Sequence, residues 1–302
     1  MNKITALQRF LSERGLPLPS ELPESVSALA QHLRLSSYWK FAGLASVLGF
    51  AVANLKALPL AHSLRLLPSL SRLLAPRLFG RSGSKGGQKQ KTASDVTSTA
   101  AALAARPALF RHNTHSSRAI LLDLDINMHK SNSTFFADAD VSRASLLTCM
   151  LSDALAAQDG ALFILAGTQC KFLREIRPLQ TYTVASQILT WTDKAFYTVT
   201  YFVSPRRGDA AAVCGLKGGP AAVLKDEKLR RKVFAIMVSK YVFKAGRATV
   251  EPAEVFGAAG LLLLNGGKDA VAKGGKKEDI LSAGEVDKIM QEGMKFVRDC
   301  ML

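Results

Sequence analysis

The amino-acid sequence predicts an α+β fold, in which an antiparallel sheet packs against one long helix. Apolar side chains recur at intervals of three and four over residues 131–157, which predicts the helix. Four segments rich in β-branched and aromatic residues follow it, at 161–176, 181–191, 194–204 and 232–246. Strands that succeed one another along the chain favour antiparallel pairing, and the short turn Thr192–Asp193 indicates a hairpin.

Changes in composition divide the 302-residue chain, which is long enough for one large or two modest domains, into five segments. They are a mixed N-terminal segment (1–37), an apolar helix (38–60), a basic amphipathic stretch with a flexible linker (61–105), the folded domain (106–265), and a Gly/Lys-rich linker with a C-terminal helix (266–302). Ser282 and Glu285 form a capping box, which predicts the start of that last helix.

The apolar segment 38–60 predicts a transmembrane or membrane-anchoring helix. Residues 41–55 carry no charge, and Tyr38 and Trp39 before them are typical of a membrane interface. Lys56 interrupts the apolar run, but a lysine can extend its ammonium to the lipid headgroups. A buried core helix or a helix lying in the interface remains the alternative.

A net charge of +16 indicates an anionic partner, such as nucleic acid, anionic membrane lipid or a phosphate-bearing substrate. No RNP-like, zinc-finger or helix-turn-helix pattern is present, so we expect no nucleic-acid partner. The eight Lys and Arg residues between 56 and 91, with no acidic residue among them, predict a single-pass or membrane-associated protein whose folded domain faces the cytosol. Four widely spaced cysteines indicate reduced thiols.

Polar side chains cluster where a predicted strand, residues 116–125, runs into the long helix. Asp125, His129 and Asn132 lie within eight residues of one another, just before the helix. A calcium loop would need glycine and glutamate where Met128 and Thr134 stand, and one nearby histidine does not make a transition-metal site. A carboxylate beside the positive end of a helix can instead act on a carbonyl, as a base on water or as a nucleophile. The alternative is a purely structural carboxylate that caps N–H groups of the turn.

The sequence DLDINMHKSN, residues 123–132, resembles the D-x-D-x-x-G-H-x-N-N pattern of hot-dog acyl-CoA thioesterases. Residues 172–203 (FLREIRPLQTYTVASQILTWTDKAFYTVTYFV) and 237–250 (MVSKYVFKAGRATV) are also similar to that family, so the resemblance covers 108–250. It implies a hot-dog fold, an antiparallel sheet wrapped around one long central helix, here with an N-terminal apolar anchor helix. The chain most resembles the membrane-anchored branch of proteins like thioesterase superfamily member six, which includes a fungal group.

The resemblance also implies a reaction and site residues. Asp125 would be the catalytic aspartate, with His129 and Asn132 in the same loop, while Met128 and Ser131 depart from the family's glycine and first asparagine. Amide N–H groups of residues 131–134 would hold the carbonyl oxygen. Arg174, Arg177 and Lys194 are candidates to bind the phosphates of coenzyme A or a phosphopantetheine arm.

The predicted activity is hydrolysis of acyl-CoA or acyl-carrier-protein thioesters, in fungal lipid or secondary-metabolite (lipopeptide or polyketide) biosynthesis. No cofactor or metal is required, because coenzyme A or phosphopantetheine arrives as part of the substrate. The expected partners are the acyl thioester, an acyl carrier protein, membrane lipids and a second copy in a homodimer or higher oligomer, with the site at the subunit boundary. The alternatives are a non-catalytic acyl-binding or membrane scaffold, and a dehydratase-like enzyme in which His129 would matter more than Asp125.

Overall fold

The computed structural model describes residues 24–78, 108–216, 218–262 and 283–301. The chain divides into two compact units between Leu55 and Lys56. In the first unit, helix α1 (Glu24–Ala53) has exposed side chains along residues 40–50. None of the helices in the described ranges is long and apolar enough to span a membrane, which does not support the transmembrane helix predicted over 38–60.

The second unit begins well before the folded domain predicted from residue 106. A short 3-10 turn (Leu55–Ala57) leads into helix α2 (Ala61–Leu78), which packs against the long central helix. Leu73 of α2 contacts the hydrophobic core. The first part of the basic stretch is therefore an ordered part of the domain, whereas the linker predicted after it lies outside the described residues.

In the described part of the chain, six antiparallel strands form one sheet. They are β1 (Asn113–Arg118), β2 (Leu162–Phe172), β3 (Thr181–Trp191), β4 (Phe196–Val203), β5 (Val233–Ala245) and β6 (Ala248–Val250). Their order across the sheet is β1-β3-β4-β5-β2, and β6 pairs with β5. The first strand is earlier than the predicted 116–125, because the chain leaves the sheet after Arg118 and turns through a 3-10 helix (Leu121–Asp123).

The central helix α3 (Asn132–Ala157) packs its apolar side chains against the inner face of this sheet. Phe135 contacts the sheet near the helix start, and Leu147, Leu151 and Leu155 are fully buried farther along. This arrangement confirms the predicted α+β class and its curled antiparallel sheet around one long helix. Arg143, the one polar interruption in the apolar stripe, is buried and hydrogen-bonds to Asp140, 2.6 Å away, and to Ser239.

The outer face of the sheet is covered by helices from the same chain. Three short helices between β4 and β5, α4 (Asp209–Cys214), α5 (Gly219–Lys225) and α6 (Glu227–Arg230), pack there. After β6 come α7 (Pro252–Ala258) and α8 (Ala283–Met301). Helix α8 inserts Phe296 and Val297 into the outer core, while the capping residue Ser282 lies outside the described residues.

Candidate active site

A tight turn presents the candidate aspartate. Leu124 and Lys130 form an isolated antiparallel bridge at its base, and the Asp125 N–H donates to the His129 carbonyl at 2.9 Å. At the tip, Met128 adopts a left-handed conformation with φ of 60°. Such a φ is costly for a residue with a Cβ. This cost explains why the hot-dog thioesterase pattern, which this loop resembles, has glycine at this position.

The carboxylate of Asp125 is half-buried and has one oxygen engaged in the turn. Its Oδ1 accepts the Asn127 N–H at 2.8 Å and lies 3.5 Å from His129 Nδ1. Among the described residues, none donates a hydrogen bond to the other oxygen, Oδ2. The local-capping alternative therefore accounts for one oxygen and leaves the second available for water or substrate.

His129 stands between two carboxylates. Its Nε2 lies 3.5 Å from Glu175 Oε1, and its ring is about one quarter exposed, at 27%. Glu175, which follows β2, was not predicted as a site residue. It lies forty-six positions after His129, and no sequence motif connects the two residues. Together the two contacts orient the imidazole between Asp125 and the chain after β2.

The start of helix α3 provides N–H donors beside this turn. Ser131 occupies the N-cap position, and its side chain makes no capping hydrogen bond to the helix. Two of the four predicted amide donors are already used, because Ser131 N–H donates to the Asp123 carbonyl and Thr134 N–H to the Ser131 carbonyl. Asn132 and Ser133 remain as the donors of this group at the positive end of the helix.

A cleft of about 540 Å³ joins these elements. Its lining combines the turn that carries Asp125, the helix start and the chain after β2: Asp125, Asn127, His129, Lys130, Asn132, Phe135, Phe172, Leu173, Arg174, Glu175 and Ile176. The structure thus brings together four of the six predicted site residues, namely Asp125, His129, Asn132 and Arg174. The Arg174 guanidinium lies over the Phe234 ring, 4.6 Å from its centroid.

The other two predicted residues do not line the cleft. Lys194 lies in the exposed turn between β3 and β4, and Arg177 is an exposed residue whose N–H donates to Gln180 Oε1 at 2.8 Å. Their predicted phosphate contacts have no counterpart in the lining of the cleft. Among the described residues, no three His, Cys, Asp or Glu side chains are grouped so that they could hold a metal ion.

Below the cleft lies a buried charge network of five side chains: Lys56, Arg65, Asp123, Lys130 and Asp138. Asp138 is fully buried, and one of its oxygens lies 2.9 Å from Arg65 while the other lies 2.9 Å from Lys56 and 3.1 Å from Lys130. Burial alone would raise the pKa of Asp138, but Lys130 and Lys56 outweigh that effect and hold its pKa well below the usual range.

Tyr182 contacts the network, and burial shifts the pKa of Tyr182 and of the network member Lys130. Tyr182 donates a hydrogen bond to Asp138, and burial, followed by the charge of that carboxylate, raises the pKa of its phenol so that it stays protonated. Burial also lowers the pKa of Lys130, although Asp138 opposes that shift. Asp138 is one of the two acids in the first half of the central helix, and its pairing with three cations gives it a structural environment rather than an open one.

This chain is similar to several known proteins. A family model described as the thioesterase-like superfamily matches residues 121–225. Thioesterase poxG of Penicillium oxalicum is 33% identical over 207 residues, which cover 64% of this chain and 67% of that protein. Probable thioesterase atnL of Emericella nidulans is 33% identical over 187 residues, covering 55% and 59%. The solved structure of the probable thioesterase YbaW from Escherichia coli is 12% identical, with a TM-score of 0.37, and covers 48% of this chain and 94% of that one.

Proposed function

Because the chain belongs to the thioesterase-like superfamily, we propose that its cleft hydrolyses acyl thioesters, with Asp125 as the catalytic carboxylate. The observation that carries this proposal is the placement of Asp125 and the N-terminus of α3 in one cleft. A base or nucleophile and the donors for a developing oxyanion are thereby within reach of the same carbonyl. The relatives are named as thioesterases, which supports the same reaction.

In the proposed reaction, Asp125 Oδ2 takes a proton from water as the water oxygen attacks the thioester carbonyl. The amide N–H groups of Asn132 and Ser133 stabilise the oxygen of the tetrahedral intermediate. When the C–S bond breaks, the proton passes to the thiolate, so the products are a carboxylic acid and a free thiol. Direct attack by Asp125 would give a mixed anhydride that water then opens, with the same products. His129 contacts Asp125 Oδ1 and holds this side chain in place.

A panel of acyl-CoA substrates tests the proposal. We expect turnover by the wild type, and a loss on the order of 10²-fold or more in Asp125→Asn and Asp125→Ala, because each removes the base. Asp153→Asn is the matched control, since Asp153 is an exposed acid elsewhere on α3. Wild-type binding of acyl-CoA without turnover would favour a non-catalytic acyl-binding protein. A larger loss in His129→Ala than in Asp125→Asn would favour a dehydratase-like reaction.

The basic end of the sheet supports a carrier-protein substrate as well as coenzyme A. Arg174 N–H donates to the carbonyl of Phe234 at 3.0 Å, so the cleft lies at the end of the sheet where β5 begins. Four exposed arginines flank this same end, two after β4 and two before β5: Arg206, Arg207, Arg230 and Arg231. Carrier proteins are recognised through acidic surfaces by complementary positive charge.

Charge reversal separates the two substrates. We expect Arg206→Glu/Arg207→Glu to lower turnover of an acyl-carrier-protein thioester at least about tenfold while leaving acyl-CoA turnover unchanged, because steering acts on the large acidic partner. Arg247→Glu, in the β5–β6 turn at the opposite end of the sheet, is the control. Equal effects on both substrates would contradict carrier-protein docking there. The reaction is proposed to belong to fungal lipid or secondary-metabolite biosynthesis.

Strand β2 supports a homodimer. It is an eleven-residue edge strand whose partner among the described strands is β5, and it exposes Leu162, Ile164 and Leu165. An unpaired apolar edge of this length is suited to pairing with another strand. Phe172 at its end lines the cleft, so a second copy on β2 would close one side of the site. Ile164→Lys is expected to give a monomer by sedimentation, with reduced turnover; an unchanged oligomeric state would contradict this edge as the interface.

The first unit supports membrane association. Helix α1 exposes Phe41, Leu44, Val47, Leu48 and Phe50, large apolar side chains that a lipid interface would cover. The domain after it is proposed to face the cytosol, as the basic residues beyond 56 indicate. Deleting residues 1–55, which leaves Lys56 in place, should move the protein from the membrane fraction to the soluble fraction. Persistence in membranes would assign the association to another part of the chain.

A further inference from the structure

Lys56, which lies 65 residues before the part of the chain matched by the family model, reaches the base of the candidate site. Its side chain is only 16% exposed, and its ammonium is surrounded by oxygen atoms. Five of them lie within 3.3 Å: Ser117 Oγ at 3.3 Å, the Arg118 carbonyl at 3.2 Å, Asp123 Oδ2 at 2.5 Å, Asp138 Oδ2 at 2.9 Å and Tyr182 Oη at 3.2 Å. A lysine has three N–H donors, so this one is fully engaged.

The shortest of these contacts joins Lys56 to Asp123, the residue just before the turn that carries Asp125. Asp123 lies two positions before Asp125, and its backbone carbonyl accepts the N–H of Ser131, the N-cap of α3, at 2.8 Å. The Oδ2 atom of Asp123 contacts both Lys56, at 2.5 Å, and Lys130, at 3.3 Å. A shift of Asp123 would therefore move both the carboxylate and the helix start that the proposed reaction uses.

The charge balance of the network indicates that Lys56 can be removed without loss of the fold. The buried charge network has three cations, Lys56, Arg65 and Lys130, facing two carboxylates, Asp123 and Asp138. Without Lys56, two cations face two carboxylates, so no buried carboxylate is left without a cation. Its ammonium is thus not needed to neutralise the network, while it makes the closest contact to Asp123.

We infer that Lys56 is a positioning residue for the hydrolytic turn, so that the segment upstream of the family-matched region is a working part of the active site. The inference rests on the proposed function for its kinetic readout. Lys56 is not one of the residues that line the cleft; it acts through Asp123 on the placement of Asp125.

The kinetic test uses the full chain and Lys56→Met. We expect kcat to fall by roughly 10- to 100-fold with KM within about threefold, since a misplacement of about 1 Å can cost on the order of 10²-fold in rate. Arg72→Met is the matched control, because Arg72 is an exposed cation on α2 that contacts α3 at Cys149, 3.2 Å away, outside the network. Its kcat is expected to stay at the wild-type value.

Chemical rescue separates positioning from a general effect on the fold. In a Cys149→Ser background, Lys56→Cys is treated with 2-bromoethylamine, which alkylates the thiol and restores an ammonium at nearly the original distance. We expect the treated variant to regain most of the lost kcat, while treatment of the Cys149→Ser parent changes nothing. Failure of the rescue in a fully alkylated, folded protein would overturn the inference.

Hydrogen exchange gives a readout that needs no activity. The N–H groups of Asp125 and Met128 close the turn through bonds to the His129 and Asp125 carbonyls, at 2.9 and 3.0 Å. The amide hydrogens of the peptide that contains this turn should exchange faster in Lys56→Met than in the wild type or in Arg72→Met. Wild-type exchange together with wild-type kcat would refute the positioning role, whereas a wild type that turns over no thioester would refute the proposed function instead. If Lys56→Met does not fold, Lys56→Gln, which keeps an N–H donor, is judged by the same criteria.

Discussion

The charge count of the buried network gives an asymmetric prediction for stability. Asp138→Asn leaves three cations facing one carboxylate, and removing one partner of a buried ion pair costs about 3–5 kcal/mol of unfolding free energy. Lys56→Met instead leaves two charges of each sign, so it should cost only about 1–2 kcal/mol, the value of lost hydrogen bonds. Loss of the Asp138 carboxylate should therefore lower the free energy of unfolding more than loss of the Lys56 ammonium.

The double variant tests directly whether the excess of buried positive charge causes the loss of stability. Asp138→Asn with Lys56→Met leaves two cations facing one carboxylate, so the excess positive charge is one rather than two. The double variant should then be more stable than Asp138→Asn alone, by about 1 kcal/mol or more, although each single change destabilises the wild type. Such an interaction energy is expected between residues that share a network.

Urea unfolding of the four proteins at pH 7 and fixed ionic strength measures these differences. If Lys56→Met destabilised the Asp138→Asn background as much as it does the wild type, the charge-balance reasoning would be refuted. Acid adds a second check. Because the pKa of Asp138 is lowered in the folded state, its share of stability is present above its unfolded pKa of about 3.9 and is lost as pH falls below it. Asp138→Asn should lack that acid-dependent loss.

Three further substitutions have expected outcomes. Gly293→Val should weaken docking of α8 and speed its proteolysis, because a Cβ there would lie 2.6 Å from the Thr190 Cβ. Its cost should be about 1–3 kcal/mol. Met128→Gly should raise the free energy of unfolding by about 1 kcal/mol, since it relieves a left-handed φ. His115 has a pKa lowered by burial, so its neutral form is favoured in the folded state. Stability should therefore fall as pH drops through about 6.5, and His115→Gln should flatten that slope.

The first two substitutions have matched controls. Gly284→Ala, at a position in α8 where a Cβ meets open space, should leave α8 protected from protease. Met128→Ala keeps a Cβ at the same φ and should bring no gain in stability; a gain equal to that of glycine would show that strain is not the cause. An unchanged pH slope in His115→Gln would assign the proton uptake to another group.

The central helix was predictable from sequence because its apolar periodicity continues over its whole length. Apolar periodicity predicted residues 131–157, and the helix runs from Asn132 to Ala157. The first strand was not placed correctly, since Leu121 and Leu122 suggest a buried strand but are exposed where the chain turns toward Asp125. An apolar run does not distinguish a strand from an exposed turn between two ordered elements.

The candidate site was predictable only as far as its residues are close in sequence. Asp125, His129 and Asn132 form a local pattern, and the fold places them in one cleft. Glu175 and Lys56 join the site from distant positions, and no periodicity or motif indicates such a contact. Lys56 was interpreted as a lysine extending to lipid headgroups because its neighbours are apolar, whereas its ammonium is coordinated by oxygens within the second unit.

The role of residues 56–78 leads to a prediction about where the catalytic domain can be cut. A chain of residues 106–302 lacks Lys56 and Arg65, so Lys130 alone would face two buried carboxylates, and it also loses the packing of α2. It should be less stable than residues 54–302 by at least about 3 kcal/mol. Adding Asp123→Asn to the shorter chain restores one charge of each sign and should recover the electrostatic part of that loss, although the same substitution destabilises the longer chain. Thermal melts of the four proteins decide the matter: equal stability of the two parent chains, or a further loss on adding Asp123→Asn to the shorter one, would show that the upstream cations do not support the buried carboxylates.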